Sequence, residues 1–283
     1  MPSATLLGQS LLSGIFIGGL YGLLGLGLSL SWGYLRLINL AHFALAFLGA
    51  YLTYQLAGVA GLHILVAVLI IVPAFFVLGV AMQLLFARFA VSEFGSLLLT
   101  FGMTVIIESA IQWFWTADMR KLQFEQGSAS LQVGALFVPL IEALMFAVAV
   151  LLAIATWGWL RFTYVGKAMR ASAENPDMAA AFGVDHRRLA LLLSGVAAAC
   201  AGVAGTFLAL IYTLSPAQIF AWMGVVFAVV ILGGLGNPLG VLAAGLVIGV
   251  SESLTMALIA PTWAPLVSFA LLILVLVLRP GRI

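Results

Sequence analysis

The sequence predicts an all-α protein, a polytopic transmembrane helical bundle of about eight to nine membrane segments, one or two of them interrupted or re-entrant. Of the 283 residues, 65% are hydrophobic and 7% are charged, against roughly 45–50% and about 25% in soluble domains. Too little polar surface remains to meet water, so most of it must meet lipid. Nine apolar stretches approach the roughly 20 residues that a spanning helix needs. None alternates with the period of a barrel strand, so the backbone must satisfy its own hydrogen bonds within helices.

The stretches fall near 6–32, 37–57, 62–86, 95–115, 136–160, 189–213, 220–236, 239–260 and 264–279, and make one transmembrane domain over 1–283. The first basic residue is Arg36, so no positive region precedes the first stretch, which is also too long for a cleaved leader and is expected to stay as a spanning helix. The second stretch contains Asn39 and His42, and the seventh ends in the run Gly233-Gly234-Leu235-Gly236-Asn237-Pro238. Either can be the interrupted segment. Gly14, Gly18 and Gly22, Gly236 and Gly240, and Gly245 and Gly249 recur at four-residue spacing, and Ala201 and Gly205 continue the pattern. Small residues at i, i+4 let membrane helices approach closely, within this bundle or against a second membrane subunit. The single cysteine, Cys200, lies in the apolar run 197–205 and reads as a packing residue.

Charge sets the orientation. With nine crossings, Arg36, Arg88, Arg161, Lys167, Arg170, Arg187, Arg188, Arg279 and Arg282 fall on one side and only Arg120 and Lys121 on the other. The basic side is cytoplasmic, which puts the C-terminus inside and the N-terminus outside. A net charge of +2 with no basic run gives no reason to expect nucleic acid as a partner.

Two polar loops hold most of the charge. The outer loop 116–132 reads as a solvated connector or as a contact for a periplasmic partner. The inner loop 161–188 carries eight of the charged residues. Within it Asn175 suits an N-cap, Pro176 the first helical turn, Asp177 the positive helix end and Gly183 the closing position. Arg170 and Glu174 stand at i, i+4 on a possible extension of the fifth span. Met178 and Phe182 share one face of the short helix, and suit either a groove in another protein or packing on the membrane or the bundle's own inner ends.

Catalytic and metal motifs are missing. Gly166-Lys167 is followed by Ala168, and Arg161 stands where a P-loop needs its first glycine. His42, His63 and His186 are far apart, so no zinc motif forms, and no resident cofactor is expected. The run Gly234-Leu235-Gly236-Asn237 is similar to the signature of intramembrane aspartyl proteases, with an amide where the catalytic carboxyl belongs. Polar groups inside spans are functional candidates by default. These are Glu108, Glu252, and Asn39 with His42 on one helical face. Each glutamate reads as a hydrogen-bonded structural carboxyl or as a proton carrier, and Asn39 and His42 as structure or as pathway lining.

Several motifs together resemble the LivH-type permeases of branched-chain amino acid ABC importers. They are Leu37-Ile38-Asn39-Leu40-Ala41-His42 with Gly49-Ala50-Tyr51, then Gly166-Lys167-Ala168-Met169-Arg170-Ala171 with Ala179-Ala180-Ala181-Phe182-Gly183-Val184. Leu232-Gly233-Gly234-Leu235-Gly236-Asn237-Pro238-Leu239-Gly240 with Glu252, and the ending 269–276 with Arg279-Pro280, follow in family order. The resemblance implies a multi-pass subunit of the bacterial inner membrane that pairs with a LivM-like permease. Two cytoplasmic ATPase subunits would power it, and a periplasmic binding protein would deliver a branched-chain amino acid or a related amino or carboxylic acid. It makes 166–184 the ATPase coupling element, with Gly166, Arg170, Glu174, Asn175, Met178, Phe182 and Gly183, and puts Asn39 and His42 at the interrupted segment near the pathway; with Glu108 and Glu252 inside the spans and Gly234, Gly236 and Asn237 of the turn, these are the candidate pathway residues. Phe43-Ala44 stands where the family commonly has glycine and then a polar residue, which implies a bulkier, more apolar pathway. From the residues alone, an ion-coupled secondary transporter using Glu108 or Glu252, and a passive channel, remain alternatives.

Overall fold

The computed structural model describes residues 4–89, 92–123 and 129–278. Arg279 and Arg282, used above for orientation, and the Arg279-Pro280 end of the last motif lie outside this range, as does 124–128 of the outer loop.

The chain is a helical bundle. Helix α1 is Ala4–Leu35, α2 is Ala41–Thr53 and continues as a π-helical turn over Tyr54–Val59, α3 is Ile64–Arg88 and α4 is Glu93–Trp115. A short hairpin, β1 (Ser130–Val133) and β2 (Leu136–Pro139), precedes α5 (Leu140–Phe162). Two short helices follow, α6 (Tyr164–Glu174) and α7 (Pro176–Ala181), and then α8 (His186–Ile211), α9 (Gln218–Gly233), α10 (Pro238–Leu258) and α11 (Ala264–Leu278). Among the described residues six helices, α1, α3, α4, α5, α8 and α10, are long and apolar enough to cross a membrane. The remaining expected segments, α2, α9 and α11, are shorter. The hairpin departs from a purely helical chain. Gly134 at φ +62° makes its turn, and Gln9 of α1 bonds both the amide and the carbonyl of Phe137 to hold it against the N-terminal end of α1.

Glycine decides which helices touch most closely. Helices α1 and α10 run antiparallel, and a Cβ on Gly18 would lie 2.6 Å from the Gly245 carbonyl oxygen, while one on Gly249 would lie 2.4 Å from the Gly18 nitrogen. The repeats Gly14/Gly18/Gly22 and Gly245/Gly249 are therefore spent inside this subunit, on each other. Gly205 of α8 faces α2 in the same way, its added Cβ falling 2.1 Å from the Ala46 carbonyl oxygen. Between these pairs sits α2, with every side chain from Ala41 to Phe47 buried. Helices α3, α4 and α5 form the periphery and turn Leu69, Val77, Ile106, Trp113 and Leu151 outward. That pattern fits a bundle solvated by lipid.

Candidate functional site

The segment 36–40 between α1 and α2 is not helical. Arg36 takes a left-handed φ of +53°, uncommon for a residue with a side chain, and turns the chain sharply at the end of α1. The chain then runs back along α1, because His42 reaches the carbonyl of Leu24, well above the end of α1 at Leu35. The amides of Arg36 and Leu37 still donate to the carbonyls of Trp32 and Ser31 on α1, whereas those of Ile38 and Leu40 find their partners on α4. Ser96 Oγ accepts from Ile38 N–H at 3.1 Å, and Thr100 Oγ1 accepts from Leu40 N–H at 3.0 Å. The Thr100 hydroxyl proton is shared between the Ser96 carbonyl at 2.7 Å and that of Ile38 at 3.1 Å. Ser96, Thr100 and Thr104 are buried at four-residue spacing, so α4 presents a hydroxyl rail to the break. Side chains that re-satisfy a freed backbone make non-helical chain tolerable at membrane depth.

His42 is fully buried. Its Nε2 lies 2.9 Å from the Leu24 carbonyl oxygen, which can only accept, so Nε2 donates. Nδ1 is then an acceptor, and among the described residues it has no partner; neither has Asn39 Oδ1, three residues earlier. Gly27 makes room for the ring, since a Cβ there would sit 2.5 Å from His42 Cε1. The pair therefore offers two buried, unmet acceptors beside the break. A buried group left without its hydrogen bond costs about 1–3 kcal/mol.

The other expected pathway residues do not join this pair. Glu252 on α10 is 5% exposed and has both oxygens engaged, Oε2 by Tyr21 Oη at 2.7 Å and Oε1 by Ser268 Oγ of α11. Tyr21 packs edge-on against Trp222, which packs the same way against Tyr212. Glu108 extends the α4 hydroxyl rail by one step, but is half-buried and accepts only from Gln112 at 3.2 Å. Gly234 and Gly236 take φ of +90° and +71°, which end α9 and turn the chain into α10. Asn237 caps α10 through Gly240 N–H. This turn lies against the C-terminal end of α1, with Gly236 N–H donating to Ser29 and Tyr34 Oη donating to the Gly236 carbonyl.

The inner loop is built as its sequence suggests in most respects. Asn175 Oδ1 accepts from Met178 N–H, Pro176 opens α7, and Gly183 at φ +81° closes it. Met178 is 58% exposed and Phe182 82%, so neither packs against the inner ends of the bundle. Two details differ. Helix α6 is separate from α5, because Thr163 is extended and caps α6 through Gly166 N–H, with Gly166 pressed against Leu160. Arg170 and Glu174 form no ion pair; Arg170 instead reaches the carbonyl of Arg161. Ser172 Oγ lies 2.6 Å from His186 Nδ1, joining α6 to the start of α8. Arg36 Nη2 lies 3.5 Å from the Ala173 carbonyl oxygen, joining α6 to the break.

Two features escape a reading of the sequence. The α4 hydroxyls carry a visible signal, their four-residue spacing, but the groups they meet are remote in the chain. Glu142, in the first turn of α5, lines a cavity of about 270 Å³ with Ser13 and Tyr212; it stands inside the expected span 136–160, where nothing local marks it as facing a cavity. Among the described residues no three His, Cys, Asp or Glu side chains gather as a metal site would require.

Residues 10–276 match the family described as branched-chain amino acid transport system / permease component. The chain is 25% identical to the high-affinity branched-chain amino acid transport system permease protein LivH of Escherichia coli, over 97% of this chain and 94% of that one. Its likeness to the corresponding protein BraD of Pseudomonas aeruginosa has the same identity and coverage. It is 30% identical to the probable branched-chain amino acid transport permease protein LivH of Methanocaldococcus jannaschii, over 85% of this chain and 78% of that one. No solved structure matches it. With the family matched along nearly its whole length and its helices apolar enough to cross a membrane, the chain belongs to the LivH/BraD family of branched-chain amino acid transport permeases.

Proposed function

We propose that the chain is the transmembrane permease subunit of an ABC importer that moves a branched-chain amino acid, or a related amino or carboxylic acid, into the cell. It works as one domain, multi-pass in the inner membrane, with about eight to nine membrane segments, one or two of them interrupted or re-entrant, and a cytoplasmic C-terminus. Its partners are a LivM-like permease, two cytoplasmic ATPase subunits and a periplasmic binding protein. The observation that carries the reading is the capped helix α7, which holds Met178 and Phe182 exposed on one face beyond the bundle. Bulky apolar side chains so displayed suit a groove in another protein.

Closure of the ATPases would push α7, and α6 would pass the movement on at two points. One is the Ser172–His186 contact with α8, and the other is the Arg36–Ala173 contact with the break. Gly166, Arg170, Glu174, Asn175 and Gly183 shape that lever. The break would be the element that moves, because the amides of Ile38 and Leu40 are held by side chains of α4 rather than within a helix. Asn39 and His42 would line the path and use their unmet acceptors on a donor such as the ammonium of an amino acid. Glu108 lies along the same rail, Gly234, Gly236 and Asn237 form the inner hinge of α10, and Glu252 ties α10 to α1 and α11.

The double variant Met178→Asp/Phe182→Asp tests the docking face. Both positions are exposed, so the variant should fold and elute as the parent does, yet lose the co-purifying ATPases and nearly all uptake. Intact association and uptake would overturn the docking role.

A further inference from the structure

A pocket of about 320 Å³ opens at the inner end of the bundle, lined by Tyr34 of α1, Trp157 and Arg161 of α5, Arg170 of α6, and Gly236 and Asn237 at the start of α10. Both arginines lack a carboxylate, since the ion pairs among the described residues are Arg120 with Asp118 and Arg188 with Asp185. The Arg161 guanidinium carbon lies 5.1 Å from the centroid of the Trp157 ring and 5.9 Å from that of Phe162, so aromatic faces hold it at the pocket. Arg170 is drawn to the same place by the Arg161 carbonyl at 3.5 Å. Asn237 spends its oxygen on capping α10, and its amide nitrogen makes one long contact of 3.4 Å with the Gly233 carbonyl. The pocket thus gathers two cations and an amide donor with no acid to neutralise them.

Its surroundings identify the anion. On α5, Leu144, Leu151 and Ile154 form an exposed apolar face. Trp157 follows Ile154 by three residues and Arg161 by seven, so both continue that face at the level where it turns from apolar to charged. Phe162 and Tyr164, both exposed, stand at the same level, as aromatic residues do at a membrane interface. The mouth of the pocket therefore borders the lipid-facing side, whereas the exposed Met178 and Phe182 lie on another helix. We propose that this pocket binds the phosphate of an anionic phospholipid headgroup in the adjoining leaflet, with Arg161 and Arg170 on its oxygens and the acyl chains along α5. The proposal stands on this chain's own residues and does not depend on which solute is carried.

Phospholipids brominated near the top of their acyl chains quench tryptophan fluorescence, and the difference between the parent and Trp157→Phe isolates Trp157 among the seven tryptophans. Brominated phosphatidylglycerol should quench Trp157 in preference to brominated phosphatidylcholine. Arg161→Gln/Arg170→Gln should weaken that preference roughly thirtyfold, because each basic residue near an anionic lipid contributes about fivefold. Arg161→Lys/Arg170→Lys should keep the preference with weaker binding, as it retains the charge and loses the fork; both changes are on exposed side chains, and unchanged elution checks the fold. Equal quenching by the two lipids, or a preference that survives the double glutamine change, would overturn the proposal. Displacement of brominated phosphatidylglycerol by inorganic phosphate would make the ligand a soluble anion and overturn it too. So would a glutamine variant that loses its ATPase partners while its quenching is unchanged, since the arginines would then be a protein contact.

Discussion

The two helix breaks in this bundle are held in opposite ways. At 36–40 the freed amides of Ile38 and Leu40 rest on hydroxyls of α4, a peripheral helix that packs mainly against α2 and shows its remaining faces outward. At 234–237 the turn rests on α1 itself. A Cβ on Gly33 would lie 2.2 Å from Gly236 N, and Ser29 and Tyr34 bond the Gly236 amide and carbonyl. The first break is clamped by side chains that a small shift of α4 can release. The second is backbone pressed on backbone, against α1. On the proposed function, this difference would put movement at 36–40, which carries Arg36 and Asn39 and leads into His42, and the pivot at 234–237.

The largest effect is expected where one residue clamps the mobile break. Thr100→Val keeps the volume but leaves Leu40 N–H without its acceptor and Ile38 without a donor, at about 1–3 kcal/mol for each buried group. The melting temperature of the purified protein should fall and uptake should be largely lost, while Thr100→Ser restores both; a valine variant as stable and active as the parent would remove the rail from the account. Next is the pivot. Gly33→Ala forces a methyl into the Gly236 backbone, and overpacking of this kind costs typically 1–3 kcal/mol. Its signature should be lost stability with the ATP dependence of the residual uptake unchanged, and a variant that uncouples hydrolysis from uptake would place the moving part at 234–237 instead. The smallest effect belongs to Glu252→Gln, which keeps the shape and can still meet Tyr21 and Ser268, at a cost of about 1 kcal/mol for a weakened bond. Uptake should persist with an unchanged pH profile. Its abolition would favour a proton-coupled carrier.

How much of this the sequence discloses depends on how local the cause is. The cap of α7 is readable because Asn175, Pro176, Asp177 and Gly183 act on neighbours in the chain. The packing of α1 on α10 is half-readable: the spacing of Gly14, Gly18, Gly245 and Gly249 announces a close approach, but not whether the partner is this chain or another. Asn39 and His42 mark the break, yet the clamp at Ser96 and Thr100 is some sixty residues away, and a hydroxyl in a helix looks neutral until its partner is known. The depth of the 234–237 turn is likewise tertiary. The 16-residue α9 is too short to carry both of its ends to the surfaces of a membrane, so the turn's place beside Tyr34 and Arg170 follows from packing and not from hydropathy. The missing Arg170–Glu174 pair shows the same limit, since helical spacing permits a bond that a nearby carbonyl can outcompete.

Reconstitution in proteoliposomes tests the central claim most directly. The chain alone, and the chain with its companion permease, ATPases and binding protein, would be compared for uptake of radiolabelled leucine and of related acids, with and without ATP and an imposed proton gradient. Uptake should appear only in the complete assembly, should follow ATP hydrolysis, and should ignore the gradient. Uptake by the chain alone, driven by the proton gradient, would contradict the account.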